Sequence, residues 1–405
     1  NFVVEKLLTK YEDYFRKHKI GRDVFITLRG PNPRVEKNKG KLLLETLESI
    51  PRNSDIAKQF YNEDSAPIFE VTIPMVGSSE EILRVKNYYD EFIIGKKSKK
   101  VNDISIKEWV GDFKPDTINV IPLIEDKDSM LKAAEITGGY LNKVSTEYQR
   151  VWLARSDPAL NYGNLSAILL NKVALQNLYD LGEKKSVDIY PIIGCGSAPF
   201  RGNFRPDNTK NMMEAYPSVQ TFTAQSAFKY DYPEEIVRKA VEEVNTVKRK
   251  KPTEIDEKMA REIIEKVSTE YQHQVTQLAP IINQMAGYVP QRRKRKLHIG
   301  LFGYSRNQTG VSLPRAIKFC AALYSLGIPP ELLGMSSLTE EDYDFISTVT
   351  ASFDEDIRDS LKYFNMDNLD ILPEKMQSQI KLVAEKFNYE TDDAHKKITS
   401  IILRD

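Results

Sequence analysis

The chain has 405 residues, and its 58 Lys plus Arg balance 58 Asp plus Glu, so the formal net charge is zero. That balance excludes the global basic field of a nucleic-acid binder and the strong acidity of a solvating tail, while 41% hydrophobic and 10% aromatic residues describe a chain that folds. Two distant cysteines, Cys195 and Cys320, make neither a disulfide framework nor a zinc spacing and point to a reducing cytoplasm, and no apolar run reaches the ~18 residues that cross a bilayer.

The chain opens NFVVEKLLTKYEDYF, without an initiator Met and already in helical periodicity, so further residues are expected before Asn1. Short apolar runs then recur as predicted strands: DVFITLR (23–29), APIFEVTIP (66–74), INVIPLIE (118–125), VWLARSD (151–157), VDIYPIIG (187–194), VQTFTA (219–224) and LHIGLFG (297–303). Between them lie helical patterns such as NLSAILLNKVALQNLYDLG (164–182). Alternating strand and helix implies parallel β with crossover helices. With an eighth strand expected near APIINQMAGYVP (279–290), the predicted fold class is α/β, a (β/α)8 TIM-type barrel over residues 1–312. From about residue 313 the pattern is helical: RAIKFCAALYSLG is amphipathic, and IPPELLG marks a break before a new helix. This C-terminal helical extension, 313–405, is expected to pack on the barrel or on a neighbouring subunit. The heptapeptide KVSTEYQ occurs at 143–149 and again at 266–272, and both copies are expected to be similar helical approaches to strands. The basic runs NTVKRKKPTEIDEK (245–258) and PQRRKRK (290–296) lack interleaved aromatics and read as solvated loops or a phosphate-facing rim.

Most of the apolar runs end in charge: Arg29, Glu125, Asp157, Arg201, Lys229 and Arg306, while Glu70 lies inside its run. Barrel enzymes collect catalytic groups at the carboxyl rim, where the loops converge over a packed interior. The competing reading is ordinary surface charge at loop starts. Glu125 and Asp157 would each put a carboxylate at a strand end. Such a pair, completed by water and substrate oxygens, suits Mg2+ or Mn2+; the alternative is two carboxylates salt-bridged to arginines. Four histidines, His18, His273, His298 and His395, show no ligand pairing, which argues against zinc. Arg29, Arg155, Arg201, Arg306 and Arg315 supply guanidinium forks that grip phosphate and carboxylate bidentately. At about 1.5–3 kcal/mol for each charge-assisted bond, a few convergent arginines hold a small phosphorylated acid without a large apolar pocket. In IIGCGSAPFRGNF (192–204), Cys195 reads as a small packed residue between glycines rather than a nucleophile, and the loop as a cover that delivers Arg201.

Taken in order, these motifs resemble the phosphoenolpyruvate carboxylases, specifically the shorter archaeal-type form, over nearly the whole chain from GRDVFITLRGPN to VSLPRAIKFCAALYSLGIPPELLG. The resemblance implies metal roles for Glu125 in VIPLIED and Asp157 in VWLARSDPALNYG. Through FITLRGPN, GCGSAPFRGNF, GYSRN and LPRAI it implies catalytic and substrate-binding roles for Arg29, Arg201, Arg306 and Arg315, while Arg155 is read from the residues themselves as a further substrate-binding arginine. Cys195 falls where the longer form has another arginine. The implied reaction is attack of bicarbonate on phosphoenolpyruvate, giving oxaloacetate and phosphate through carboxyphosphate and a metal-stabilised enolate. The implied setting is a cytoplasmic, Mg2+- or Mn2+-dependent homotetramer with no nucleic-acid or membrane partner, serving carbon dioxide fixation and anaplerosis of the tricarboxylic acid cycle. Two departures stand out. The family's Thr-Gln-His-Pro-Asp motif is not in the sequence, which is expected to lie in a segment before Asn1, and TSIILRD ends where the family has a tail approaching the site. Another Mg-dependent phosphoenolpyruvate- or pyruvate-handling lyase or phosphotransferase is the alternative enzyme, and a non-catalytic anion-sensing barrel the alternative from a different class.

Overall fold

A computed structural model describes residues 2–290 and 311–403. Eight strands are present among them: β1 (Thr27–Arg29), β2 (Glu70–Ile73), β3 (Lys100–Val101), β4 (Ile104–Ser105), β5 (Asn119–Ile124), β6 (Tyr148–Ala154), β7 (Asp188–Gly194) and β8 (Thr221–Phe222). Six form one sheet in the order β1-β2-β5-β6-β7-β8, with β1–β2, β2–β5, β5–β6 and β7–β8 paired in parallel. β3 and β4 make a small antiparallel hairpin that the sequence pattern did not announce. The fold is therefore a mixed α/β structure around a six-stranded parallel sheet, whereas a complete eight-stranded barrel is more than the described residues contain. The predicted strand LHIGLFG (297–303) lies outside them. The expected strand at 279–290 is a correction: 279–288 finish the helix Glu257–Tyr288, which runs through Pro280. Its buried residues Leu278, Ala279, Ile282 and Ala286 keep a helical repeat that no strand would produce.

The chain divides into two compact units, residues 1–153 with 180–191 and residues 154–179 with 192–405. In the first, β2 is buried along its whole length and β5 along all but its first residue, the near-continuous apolar pattern of parallel strands covered on both faces. Polar side chains at these strands bond across the sheet: Thr72 Oγ1 on β2 donates to the Ile121 carbonyl at 3.1 Å, and Gln149 Nε2 on β6 to the Val120 carbonyl at 2.9 Å. The helices Gly40–Tyr61 and Ser79–Asn87 contribute Leu43, Leu47, Ile50, Ile82 and Val85 to the same core.

In the second unit the core is aromatic. Phe200 packs 5.4 Å from Phe319 and 6.5 Å from Tyr271, centroid to centroid. The helix Glu257–Tyr288 is capped by Asp256, whose carboxylate accepts from the Lys258 and Met259 amides at 2.9 and 3.1 Å, satisfying donors that have no intrahelical partner. The segment after residue 313 is helical as expected, with Ala316–Ser325, Glu340–Val349, Phe353–Leu361, Glu374–Lys386 and Asp393–Ile402. The two KVSTEYQ copies differ, which corrects the expectation that both approach strands. Residues 143–147 are loop leading into β6, whereas 266–272 are helical throughout.

Candidate active site

In the first unit, Arg29 ends β1 and is exposed. Gly30 follows, where a Cβ would stand 2.5 Å from Leu43 Cδ1, and its amide continues the ladder to the Thr72 carbonyl at 3.1 Å. Asn32, 1% exposed, then ties this loop to the loop after β2: its Nδ2 donates to Pro74 O at 2.9 Å, Met75 O at 3.2 Å and Glu81 Oε2 at 2.6 Å. Glu125 follows the last residue of β5 and is buried, and its Oε2 accepts the Met75 amide at 2.8 Å. Met75 adopts a left-handed φ of 54°, a conformation costly for a residue with a side chain, and this is what aims its N–H at Glu125. Glu70 is the counter-example. It opens β2, is buried, and accepts from Arg150 Nη1 at 2.8 Å and from Thr27 Oγ1 at 3.3 Å, so it is a paired structural carboxylate.

In the second unit, Arg155 follows β6 directly and is buried, while Asp157, in the first turn of the helix Ser156–Tyr162, is partly exposed. Gly163 ends that helix at φ 92°, and a Cβ there would lie 3.2 Å from the Tyr271 ring. The loop after β7 closes on itself: the Gly196 amide donates to Arg201 O at 2.9 Å, and the Phe204 amide to Gly196 O at 2.8 Å. Arg201, partly exposed, is steered by Nη1 donating to Gln225 Oε1. Cys195 is fully buried, donates to the Thr223 carbonyl at 3.3 Å, and burial pushes its thiol up to about 12. A thiol held protonated is a poor nucleophile. Arg315 is exposed at the N-cap of the helix Ala316–Ser325, Lys229 sits in the π-helical turn Ala227–Asp231, and Arg306 lies outside the described residues.

The sequence pattern missed several groups. Lys172 is 3% exposed inside the apolar helix Asn164–Lys185, donates to Ala215 O at 2.7 Å, and burial lowers its ammonium to about 8. A lone lysine in NKVAL was the available signal. Glu331, 3% exposed, accepts from the Tyr324 hydroxyl at 2.7 Å, and burial raises it to about 7. Tyr216 and Asp356, both in the second unit, carry no sequence mark at all.

The parallel α/β sheet thus carries Arg29 at the end of β1, Glu125 just past β5 and Arg155 just past β6. Comparison with known proteins gives the family. The family model described as phosphoenolpyruvate carboxylase matches residues 1–405. The chain is 51% identical over 405 residues to the phosphoenolpyruvate carboxylase of Methanothermobacter thermautotrophicus, covering 100% of this chain and 83% of that one. It is 48% identical over 404 residues to that of Methanospirillum hungatei, covering 99% and 83%, and 52% identical over 364 residues to that of Pyrococcus abyssi, covering 90% and 77%. The chain belongs to the phosphoenolpyruvate carboxylase family.

Proposed function

We propose that this chain carboxylates phosphoenolpyruvate with bicarbonate to give oxaloacetate and phosphate. The family match along the whole chain carries the reading, and the inert Cys195 supports it by leaving the work to charge rather than to a covalent thiol. A bicarbonate oxygen attacks phosphorus and the bond from phosphorus to the enol oxygen breaks, giving carboxyphosphate and the enolate of pyruvate. Carboxyphosphate releases carbon dioxide and phosphate, and the enolate methylene carbon attacks carbon dioxide to form the new carbon–carbon bond. Arg29, Arg201, Arg306 and Arg315 are the groups proposed to hold phosphate and carboxylate and to balance charge as it moves from phosphoryl to enolate oxygen. Arg155 is proposed as a further substrate-binding cation.

Glu125 and Asp157 offer hard oxygen donors, and no group of three or more His, Cys, Asp or Glu that could hold a metal stands together among the described residues. A two-carboxylate set completed by water and substrate fits Mg2+ or Mn2+ and not zinc. When bound there, the cation supplies neutralisation of charge developing on substrate oxygens. The Met75 amide on Glu125 Oε2 helps fix the orientation of that carboxylate.

The proposal also includes closure of the sheet into a barrel within residues 1–312, a homotetramer with contacts from 313–405, and a cytoplasmic setting. Among the described residues, no single helix is long and apolar enough to cross a membrane. The test is a coupled assay in which oxaloacetate appears only when bicarbonate and Mg2+ or Mn2+ are both present. Pyruvate as the sole product would replace the carboxylase with another phosphoenolpyruvate-handling enzyme.

A further inference from the structure

Arg155, 2% exposed, is incompletely satisfied. Its Nη2 donates to Asn164 Oδ1 at 3.1 Å, while Nε and Nη1 meet no hydrogen-bond partner among the described residues. The buried Tyr216 hydroxyl lies beside this guanidinium, within reach of a weak side-chain interaction with it, and has no other hydrogen-bond partner among the described residues. Lys172 Nζ sits 5.3 Å from the Tyr216 ring centroid, so a second buried cation flanks the same tyrosine. Ser218 Oγ, two residues on, is buried and unpartnered as well. The acid facing the group is Asp356, on the helix Phe353–Leu361. It feels the charge of Arg155, but its Oδ2 accepts from Ser352 Oγ at 3.3 Å and no ion pair with Arg155 forms.

A buried donor left unmade is costly, and more so when charged. Two buried cations against one carboxylate leave a cationic excess that burial makes expensive. Such an arrangement calls for an ion or water that completes it. Asn164 takes one Nη2 proton, which leaves a complete two-pronged guanidinium edge, the match for a planar oxyanion. A tyrosine hydroxyl both donates and accepts, so it can pair with an oxyanion that still carries a proton.

We propose that Arg155, Tyr216 and Lys172 form a receptor for a small planar oxyanion, and that bicarbonate is its occupant. The identity of the occupant rests on the carboxylase reading; the receptor rests on the unmet donors. Tyr216→Phe removes one hydroxyl and keeps the ring that covers Lys172. Loss of one hydrogen bond of about 1 kcal/mol predicts a roughly fivefold rise in the bicarbonate KM, with the phosphoenolpyruvate KM unchanged. Nitrate, planar and unreactive, is the second probe. It should raise the melting temperature of the resting protein above that in chloride at equal ionic strength, and should do so less in Tyr216→Phe and in Lys172→Met. An unchanged bicarbonate KM in Tyr216→Phe, together with equal nitrate effects in all three proteins, overturns the receptor and assigns the donors to water. Absence of oxaloacetate from the unaltered protein overturns the carboxylase reading instead, and the nitrate comparison still decides the receptor.

Discussion

Asp157 and Cys195 make opposite demands on a substitution. Asp157→Asn keeps the size and removes the charge that a divalent cation requires. It should lower the metal-dependent rate by about a hundredfold or more while circular dichroism stays unchanged, and unaltered kinetics would take Asp157 out of the site. Cys195→Ser should leave kcat within about twofold, because a protonated, buried thiol contributes packing rather than nucleophilicity; complete inactivation would restore the thiol mechanism. Glu331 gives a pH prediction. Its folded value, about 7, lies above the ordinary carboxylate value of 4.5, so the folded state holds a proton that the unfolded state releases. Stability should therefore fall as pH rises from about 4.5 to 7, and Glu331→Gln should flatten that slope and be the more stable form at pH 8, by roughly 1–3 kcal/mol in urea titrations. A charge ending an apolar run is conspicuous in the sequence, and Arg29 and Glu125 do stand at or just past strand ends. Tyr216, Asp356 and Glu331 were not legible, since their meaning comes from what surrounds them after folding.

At the level of elements, the strands announced themselves by apolar runs, but their bounds did not. DVFITLR yields only Thr27–Arg29, because Val24 makes an isolated bridge with Ile20 before the chain reaches the sheet. The mistaken strand at 279–290 shows the other weakness. Pro280 and the glycine of MAGYVP read as punctuation, yet thirty-two residues of helix from Glu257 to Tyr288 accommodate both. The repeat of buried positions at 278, 282 and 286 was the better signal. Gly163 links the Asp157 helix to the helix after it at a backbone angle reserved for glycine. Gly163→Ala should cost about 1–3 kcal/mol in urea denaturation through φ strain and the Tyr271 ring, and a stability equal to the parent would show that the junction relaxes freely.

For the molecule as a whole, alternation of strand and helix sufficed to predict a parallel α/β sheet, which the six paired strands bear out. The interleaving of two units was not readable, because β7 and the helix Asn164–Lys185 each run from one unit into the other without any break in composition. If residues 313–405 supply subunit contacts, sedimentation should give a tetramer, and charge reversals on the exposed face of the helix Asp393–Ile402, where Ile398 and Ile401 are exposed, should dissociate it. A monomer in the unaltered protein would remove that role from the extension.

The seven residues shared by 143–149 and 266–272 act as an internal control on local coding. In one copy the tyrosine, Tyr148, takes a bond from Asn119 Nδ2 at 3.0 Å at the start of a strand; in the other, Tyr271 gives one to Leu160 O at 2.8 Å from mid-helix. Identical side chains thus adopt opposite backbones in one polypeptide. An isolated peptide of this heptad should show neither preference by circular dichroism, and an antibody raised against it would report unfolding at both places while binding neither in the native fold.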